Sequence, residues 1–131
     1  GERQIKIDCD VIQADGGTRC ASITGGWIAM KLAVEKLLKE NKIKEDPIHC
    51  HVAAISCGLY EKEVIIDLDY IEDSNAETDA NLVMNENLYF LEIQSSAEGN
   101  IFSRKQFDEF LNLAEEKIPT LIEIQKRVLE S

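Results

Sequence analysis

Gln13-Ala14-Asp15-Gly16-Gly17-Thr18-Arg19-Cys20-Ala21-Ser22-Ile23-Thr24-Gly25-Gly26 is the stretch on which the fold of this chain turns. Just upstream, Ile5-Lys6-Ile7-Asp8-Cys9-Asp10-Val11-Ile12 alternates apolar and polar residues, the period of a half-buried strand. Downstream, Trp27-Ile28-Ala29-Met30-Lys31-Leu32-Ala33-Val34-Glu35-Lys36-Leu37-Leu38 reads as an apolar helix. Gly16-Gly17 is therefore expected where a strand gives way to a helix. Two glycines let the backbone approach a ligand closely, and the free N–H groups of a helix start favour an anion. Thr18 adds a hydroxyl donor, and Arg19 adds a planar, permanently charged fork that matches phosphate. A glycine pair at such a junction is by itself an ordinary turn. Neither a Gly-Lys-Ser/Thr ending nor a spaced glycine triplet is present, so both common nucleotide fingerprints are absent. An arginine beside those glycines in so acidic a chain points to a phosphate or phosphodiester site at Gly17, Thr18 and Arg19.

The chain has 131 residues, 44% hydrophobic and 30% charged, enough for one globular domain over residues 1–131. No apolar run approaches the ~20 residues of a membrane helix. The start, Gly1-Glu2-Arg3-Gln4, lacks the layout of a signal peptide, so a cytoplasmic chain is expected. The net charge of −11 argues against an autonomous nucleic-acid binder, which needs lysine and arginine for phosphate contacts. Cysteines stand at positions 9, 20, 50 and 57 without a Cys-x-x-Cys pair, and are expected reduced. Cys9 and Cys57 lie in apolar strand-like runs and read as small core residues. Cys20, beside the arginine, reads as a candidate accessible thiol.

Lys39 to Pro47 is a polar helix end and surface loop. Ile48-His49-Cys50-His51-Val52-Ala53-Ala54-Ile55-Ser56-Cys57-Gly58-Leu59 is strand-like, and alternation would put both histidines on one face and Cys50 on the other. Zinc needs a fuller ligand set, so surface or subunit-contact histidines are preferred to a metal site. Glu61-Lys62-Glu63 separates that strand from Val64-Ile65-Ile66-Asp67-Leu68-Asp69-Tyr70, which makes a hairpin. A second hairpin joins Leu82-Val83-Met84 to Leu88-Tyr89-Phe90-Leu91-Glu92-Ile93 through Asn85-Glu86-Asn87. Ser103 with Gln106 reads as a capping box. Phe107, Phe110, Leu111, Ala114, Ile118, Leu121, Ile122 and Gln125 follow at helical spacing, with Pro119 set to kink or divide the helix. The order strand, helix, four strands, helix predicts an α+β domain with helices on a largely antiparallel sheet.

Asp67, Asp69, Glu72, Asp73, Glu77 and Asp79 crowd one short segment, with Asp67 and Asp69 expected on one strand face. Such a cluster persists if exposed, protonated or neutralised by a cation. A calcium loop starting at Asp67 would need glycine and glutamate where Glu72 and Thr78 stand, so that reading fails. Magnesium fits better, because it uses one or two carboxylates and completes its shell with waters and substrate phosphate.

Three stretches carry a resemblance. Asp8 to Arg19 resembles the phosphate-binding segment of the ribonuclease PH family, phosphorolytic exoribonucleases that trim transfer RNA. Asp67-Leu68-Asp69-Tyr70-Ile71-Glu72-Asp73-Ser74 with Ala76-Glu77-Thr78-Asp79 resembles its acidic active-site segment. Glu92-Ile93-Gln94-Ser95-Ser96-Ala97-Glu98-Gly99 and Phe102-Ser103-Arg104 resemble its late strand and helix start. Ile71 departs from a common glutamate, Ala80 from a common methionine and Cys20 from a common threonine.

The resemblance covers essentially the whole chain but only the carboxy-terminal part of the family's usual sequence. It implies the ribonuclease PH fold, related to a domain of ribosomal protein S5, assembled as a hexameric ring. It implies phosphorolysis of RNA 3′ ends, with inorganic phosphate as co-substrate and Asp73 and Asp79 as the catalytic acids and Mg²⁺ ligands. Asp69 is a weaker candidate. A non-catalytic ring subunit of an exosome-type complex and a bare metal- or phosphate-binding domain are the alternatives. Gly1-Glu2-Arg3 already resembles family sequence, so a further amino-terminal segment, carrying the RNA-gripping arginines, is expected to be needed for activity. That last expectation falls partly on Gly1 and Glu2, outside the residues described below.

Overall fold

The structure is a computed structural model and describes residues 3–130. Its elements are α1 (Thr18–Lys39), β1 (Val52–Tyr60), β2 (Glu63–Ile66), α2 (Tyr70–Asn75), β3 (Thr78–Asn85), β4 (Phe90–Ala97) and α3 (Arg104–Glu130). Four strands pair antiparallel in the order β2-β1-β3-β4. This is the expected α+β arrangement of helices on an antiparallel sheet.

Both predicted hairpins form. Glu61 and Lys62 close the first with φ of 49° and 71°, the left-handed pair that matches strand twist in a two-residue turn. Cys57 stands opposite Ala80 and Ile55 opposite Leu82, so alternation sends Ala53, Ile55, Cys57, Leu59, Ala80, Leu82 and Met84 to one face. There α3 buries Phe110, Ala114, Ile118 and Ile122. The other face presents Ala54 and Val83 to Cys20 and Ile23 of α1. With a helix on each side, the centre of β1 is buried at every position.

Only Cys57–Tyr60 of β1 has β2 for a neighbour. Side chains serve the upstream half instead. Ala54 N donates to Thr24 Oγ1 at 3.0 Å, and Gln125 Nε2 donates to Val52 O at 2.9 Å and Thr24 O at 3.0 Å. Asp67 N donates to Ser56 O at 2.9 Å. An open strand edge is thus satisfied without a fifth strand.

Several expectations are overturned. Residues 5–12 form no strand: among the described residues none pairs with their backbone, and alternation alone does not make a ladder. The run lies along α1 without regular structure, with Ile7 near Gly26 and the Cys9 thiol donating to Ser22 O at 3.8 Å. Cys9 is consequently exposed rather than in the core, while Cys57 is buried. Helix α1 begins nine residues before Trp27 and runs through Gly25-Gly26, and a Cβ at Gly26 would come 3.3 Å from Ile7. His49, Cys50 and His51 precede β1, so they share no strand faces. His51 instead stacks on Trp27 with ring centroids 4.1 Å apart. Strand β2 stops at Ile66; Asp67 takes φ 56° and Asp69 caps the unexpected helix α2, so the two acids share no strand face either. Pro119 lies on the exposed side of a continuous α3, so it neither divides the helix nor disturbs its buried face. The Ser103–Gln106 capping box forms as expected, with Ser103 N donating to Gln106 Oε1 at 2.8 Å.

Candidate active site

The glycine turn is wedged between β1 and the start of α2. A Cβ at Gly16 would sit 2.0 Å from Leu68 O, and one at Gly17 would sit 2.8 Å from Ser56 Oγ. Gly17 also takes φ 68°, a left-handed conformation that side chains resist. Asp15 fastens the turn from both sides, its Oδ1 accepting from Gly16 N and from Tyr70 N. Gly17 then caps α1 with no side-chain hydrogen bond, leaving the first-turn N–H groups of α1 unclaimed by any cap. The Thr18 hydroxyl, expected as a donor to phosphate, donates to Asp15 O at 2.9 Å within the turn. Arg19 Nη2 donates to Glu92 Oε1 of β4 at 2.8 Å, with both side chains about half exposed.

The acids arrive from the opposite side. Asp69 accepts from Glu72 N at 2.8 Å while Glu72 accepts from Asp69 N at 3.0 Å, a reciprocal box that nucleates the six-residue α2. That box occupies Asp69 and Glu72 and sets Asp73 on the helix beside the sheet. Asp79 and Asn81 share the α1 face of β3, and Gln94 stands opposite Asn81 on β4. Gly17, Thr18, Arg19, Ser56, Asp73, Asp79, Asn81 and Gln94 line one cleft of about 250 Å³. All five residues singled out from sequence meet there. Asp67 lines a separate cavity of about 570 Å³ on the far side of the turn, between α1, β1 and α3.

Among the described residues lining the cleft, Arg19 is the one cation, against two carboxylates. Burial holds the Asp79 carboxyl above its ordinary value, and the charges of Asp73 and Glu98 push it the same way; the Asn81 amide and Arg19 oppose them. Cys20, expected as an accessible thiol, is 4% exposed, and burial pushes its pKa up to about 12. It is a protonated, inert thiol.

No group of three His, Cys, Asp or Glu side chains converges among the described residues. Asp73 and Asp79 nevertheless fit a hard cation that takes the rest of its shell from water and phosphate, since the charge of Asp73 raises the cost of ionising Asp79.

Ser56, Asn81 and Gln94 were not foreseen in the site. Their signal lay in alternation: Asp79 and Asn81 are two residues apart on a strand, and the hairpin brings Gln94 level with them.

Residues 50–117 match the model of the 3′ exoribonuclease family, domain 2. The chain belongs to the 3′ exoribonuclease family. That match includes Asp73 and Asp79, whereas the Gly17–Arg19 turn lies upstream of it. The chain is 58% identical over 129 residues to a ribonuclease PH of Cereibacter sphaeroides, covering 98% of this chain and 54% of the relative. It is 54% identical over 126 residues to the ribonuclease PH of Roseobacter denitrificans, covering 96% and 53%. These relatives bear out the ribonuclease PH resemblance carried by the three sequence motifs. The chain spans about half the length of the curated relatives it matches. Rice Rrp46 shares the fold at a TM-score of 0.70 and 18% identity, over 92% of this chain and 51% of that one.

Proposed function

We propose that this chain is one domain, the carboxy-terminal part of a phosphate-dependent 3′→5′ exoribonuclease that trims the 3′ end of transfer RNA precursors. The observation that carries the proposal is the single cleft that sets a helix start and Arg19 against Asp73 and Asp79. Inorganic phosphate is the co-substrate. The Arg19 guanidinium and the first-turn N–H groups of α1 hold it, while Gly17 gives it room and Thr18 stiffens the turn. A phosphate oxygen attacks the last internucleotide phosphorus as the bond from that phosphorus to the 3′ oxygen breaks. The products are a nucleoside diphosphate and RNA shortened by one residue, whose 3′ oxygen takes up a proton. Orientation and charge neutralisation supply most of what such a site contributes. Mg²⁺, when bound, screens the developing charge on the transferred phosphoryl oxygens. Asp73 would help to hold it, and Asp79 would either complete that binding as a carboxylate or, as an acid whose carboxyl burial holds above its ordinary value, pass a proton to the departing oxygen.

In this proposal the protein works in the cytoplasm as a ring of six copies. Basic residues that grip RNA lie in the rest of the protein, which accommodates the charge of −11 on these 131 residues. The non-catalytic ring subunit is disfavoured because Arg19, Asp73 and Asp79 are all present in one cleft.

Incubating the full-length protein with RNA and phosphate should release nucleoside diphosphates, and Arg19→Ala should abolish release or raise the phosphate requirement with little loss of stability. Nucleoside monophosphates as products, or unaltered phosphate dependence in Arg19→Ala, would refute the proposal.

A further inference from the structure

Three side chains stand in series, from Asp79 and Asn81 in the wall of the cleft to Cys20 behind it. The Cys20 thiol donates to Asn81 Oδ1 at 2.9 Å, and Asn81 Nδ2 faces both Asp79 carboxylate oxygens at 3.4 Å. The two ends of an amide have nearly the same shape, so sterics alone do not decide which end faces Asp79. Hydrogen bonding does. A carboxylate can only accept, so the amide helps Asp79 only with its nitrogen turned toward it. Reversed, the amide would oppose its carbonyl oxygen to a negative charge. At the other end a thiol can donate, and burial keeps this one protonated, its pKa pushed up to about 12. Cys20 and Asn81 are 4% and 7% exposed, so water has little access to replace either contact.

We propose that Asn81 is a positioning residue for Asp79, and that the Cys20 side chain, as a hydrogen-bond donor, sets the amide orientation on which that positioning depends. The proposal rests on the reading of Asp79 as an acid at the reacting centre. Neither Cys20 nor Asn81 exchanges a proton or an electron in it; they hold a carboxylate at one angle and one height above the sheet.

Threonine and valine have nearly the same shape and differ in a hydroxyl, which separates donation from packing. In the full-length protein, Cys20→Thr should keep most of kcat, whereas Cys20→Val should lower kcat by about three- to ten-fold, the worth of one uncharged hydrogen bond. The KM for phosphate should move little in either, and Cys20→Val should unfold somewhat earlier than Cys20→Thr, because it leaves Asn81 Oδ1 without a donor. Asn81→Ala should lower kcat by at least as much, and adding Cys20→Val to it should cost nothing more. Wild-type kcat in Cys20→Val, equal losses in both Cys20 variants, or a second independent loss in the double variant would each overturn the proposal. Asp79→Asn measured alongside keeps the two ideas apart. Full activity there removes Asp79 from the reaction, while an inactive Asp79→Asn beside an unaltered Cys20→Val removes only the role of the thiol.

Discussion

Gln125 is completely buried and joins three elements, which makes it the most informative residue to perturb for stability. Its Nε2 donates to Val52 O and to Thr24 O, neither of which can donate in return. The amide orientation is therefore fixed, and Oε1 faces His51 Nδ1 at 3.3 Å as the acceptor of that ring's N–H. Gln125→Leu keeps the volume and removes all three contacts. Thr24 O lies inside α1 and retains a helical partner, so its loss is small. Val52 O sits where β1 lacks β2 for a neighbour and is left without a partner, at about 1–3 kcal/mol. Adding about 1 kcal/mol for the His51 and Thr24 contacts together gives a total near 3 kcal/mol, or roughly 10 °C in Tm for a domain of this size. Urea and thermal unfolding at fixed pH would measure it. Gln125→Glu sharpens the test, because a carboxylate facing two carbonyls is favoured only while protonated. Its folded pKa is raised, so its stability should match Gln125→Leu or better at acid pH and fall as pH rises through that value. A Gln125→Leu loss below about 0.5 kcal/mol, or a pH-independent Gln125→Glu, would show that the amide does not brace the open edge of β1.

Two further outcomes follow from the cleft and its turn. Because the folded state holds the Asp79 proton more tightly than the unfolded chain, stability should fall as pH rises from the ordinary carboxylate value of 3.8 through the raised one. Asp79→Asn removes that cost, so without divalent cation it should be more stable than wild type at neutral pH, equal to it in strong acid, and nearly inactive. A lower Tm for Asp79→Asn at neutral pH would contradict this. Gly16→Ala should cost at least ~2 kcal/mol in urea unfolding, because its Cβ meets the Leu68 carbonyl. Gly25→Ala, with nothing within 4 Å and a helical backbone, should gain about 0.5–1 kcal/mol. Equal effects at the two glycines would mean that the turn is not wedged as described.

How far the chain could be read in advance depended on how local each signal was. The Ser103–Gln106 box, the apolar stripe of α3 and the two hairpins rest on neighbours within a few residues, and all of them form. Residues 5–12 carried an equally clean alternation, but a strand exists only through its partner, and no described residue pairs with it. Cys9 was misplaced for the same reason. Helix α2 was hidden by its own chemistry: Asp69-x-x-Glu72 is a capping signature, yet amid six acids it read as part of a charge cluster on a strand. Cys20 looked accessible from its place beside a charged residue. Successive residues of a helix point in different directions, so Arg19 turns to Glu92 while Cys20 turns into the sheet. Of the site itself, the motifs pointed to both acids and the turn. Ser56, Asn81 and Gln94 needed the register of β1, β3 and β4, which depends on pairings across the whole domain.

The cleft draws its walls from α1, β1, α2, β3 and β4, from Gly17 at one end of the chain segment to Gln94 at the other. None of these pieces carries the site alone, so it cannot be present in a partly folded chain. Because α1 must close onto a sheet whose β1–β3 pairing itself spans α2, the cleft is expected to form late in folding. If so, phosphate bound there should slow unfolding without speeding refolding, and refolding that quickens with phosphate would show that the cleft forms early.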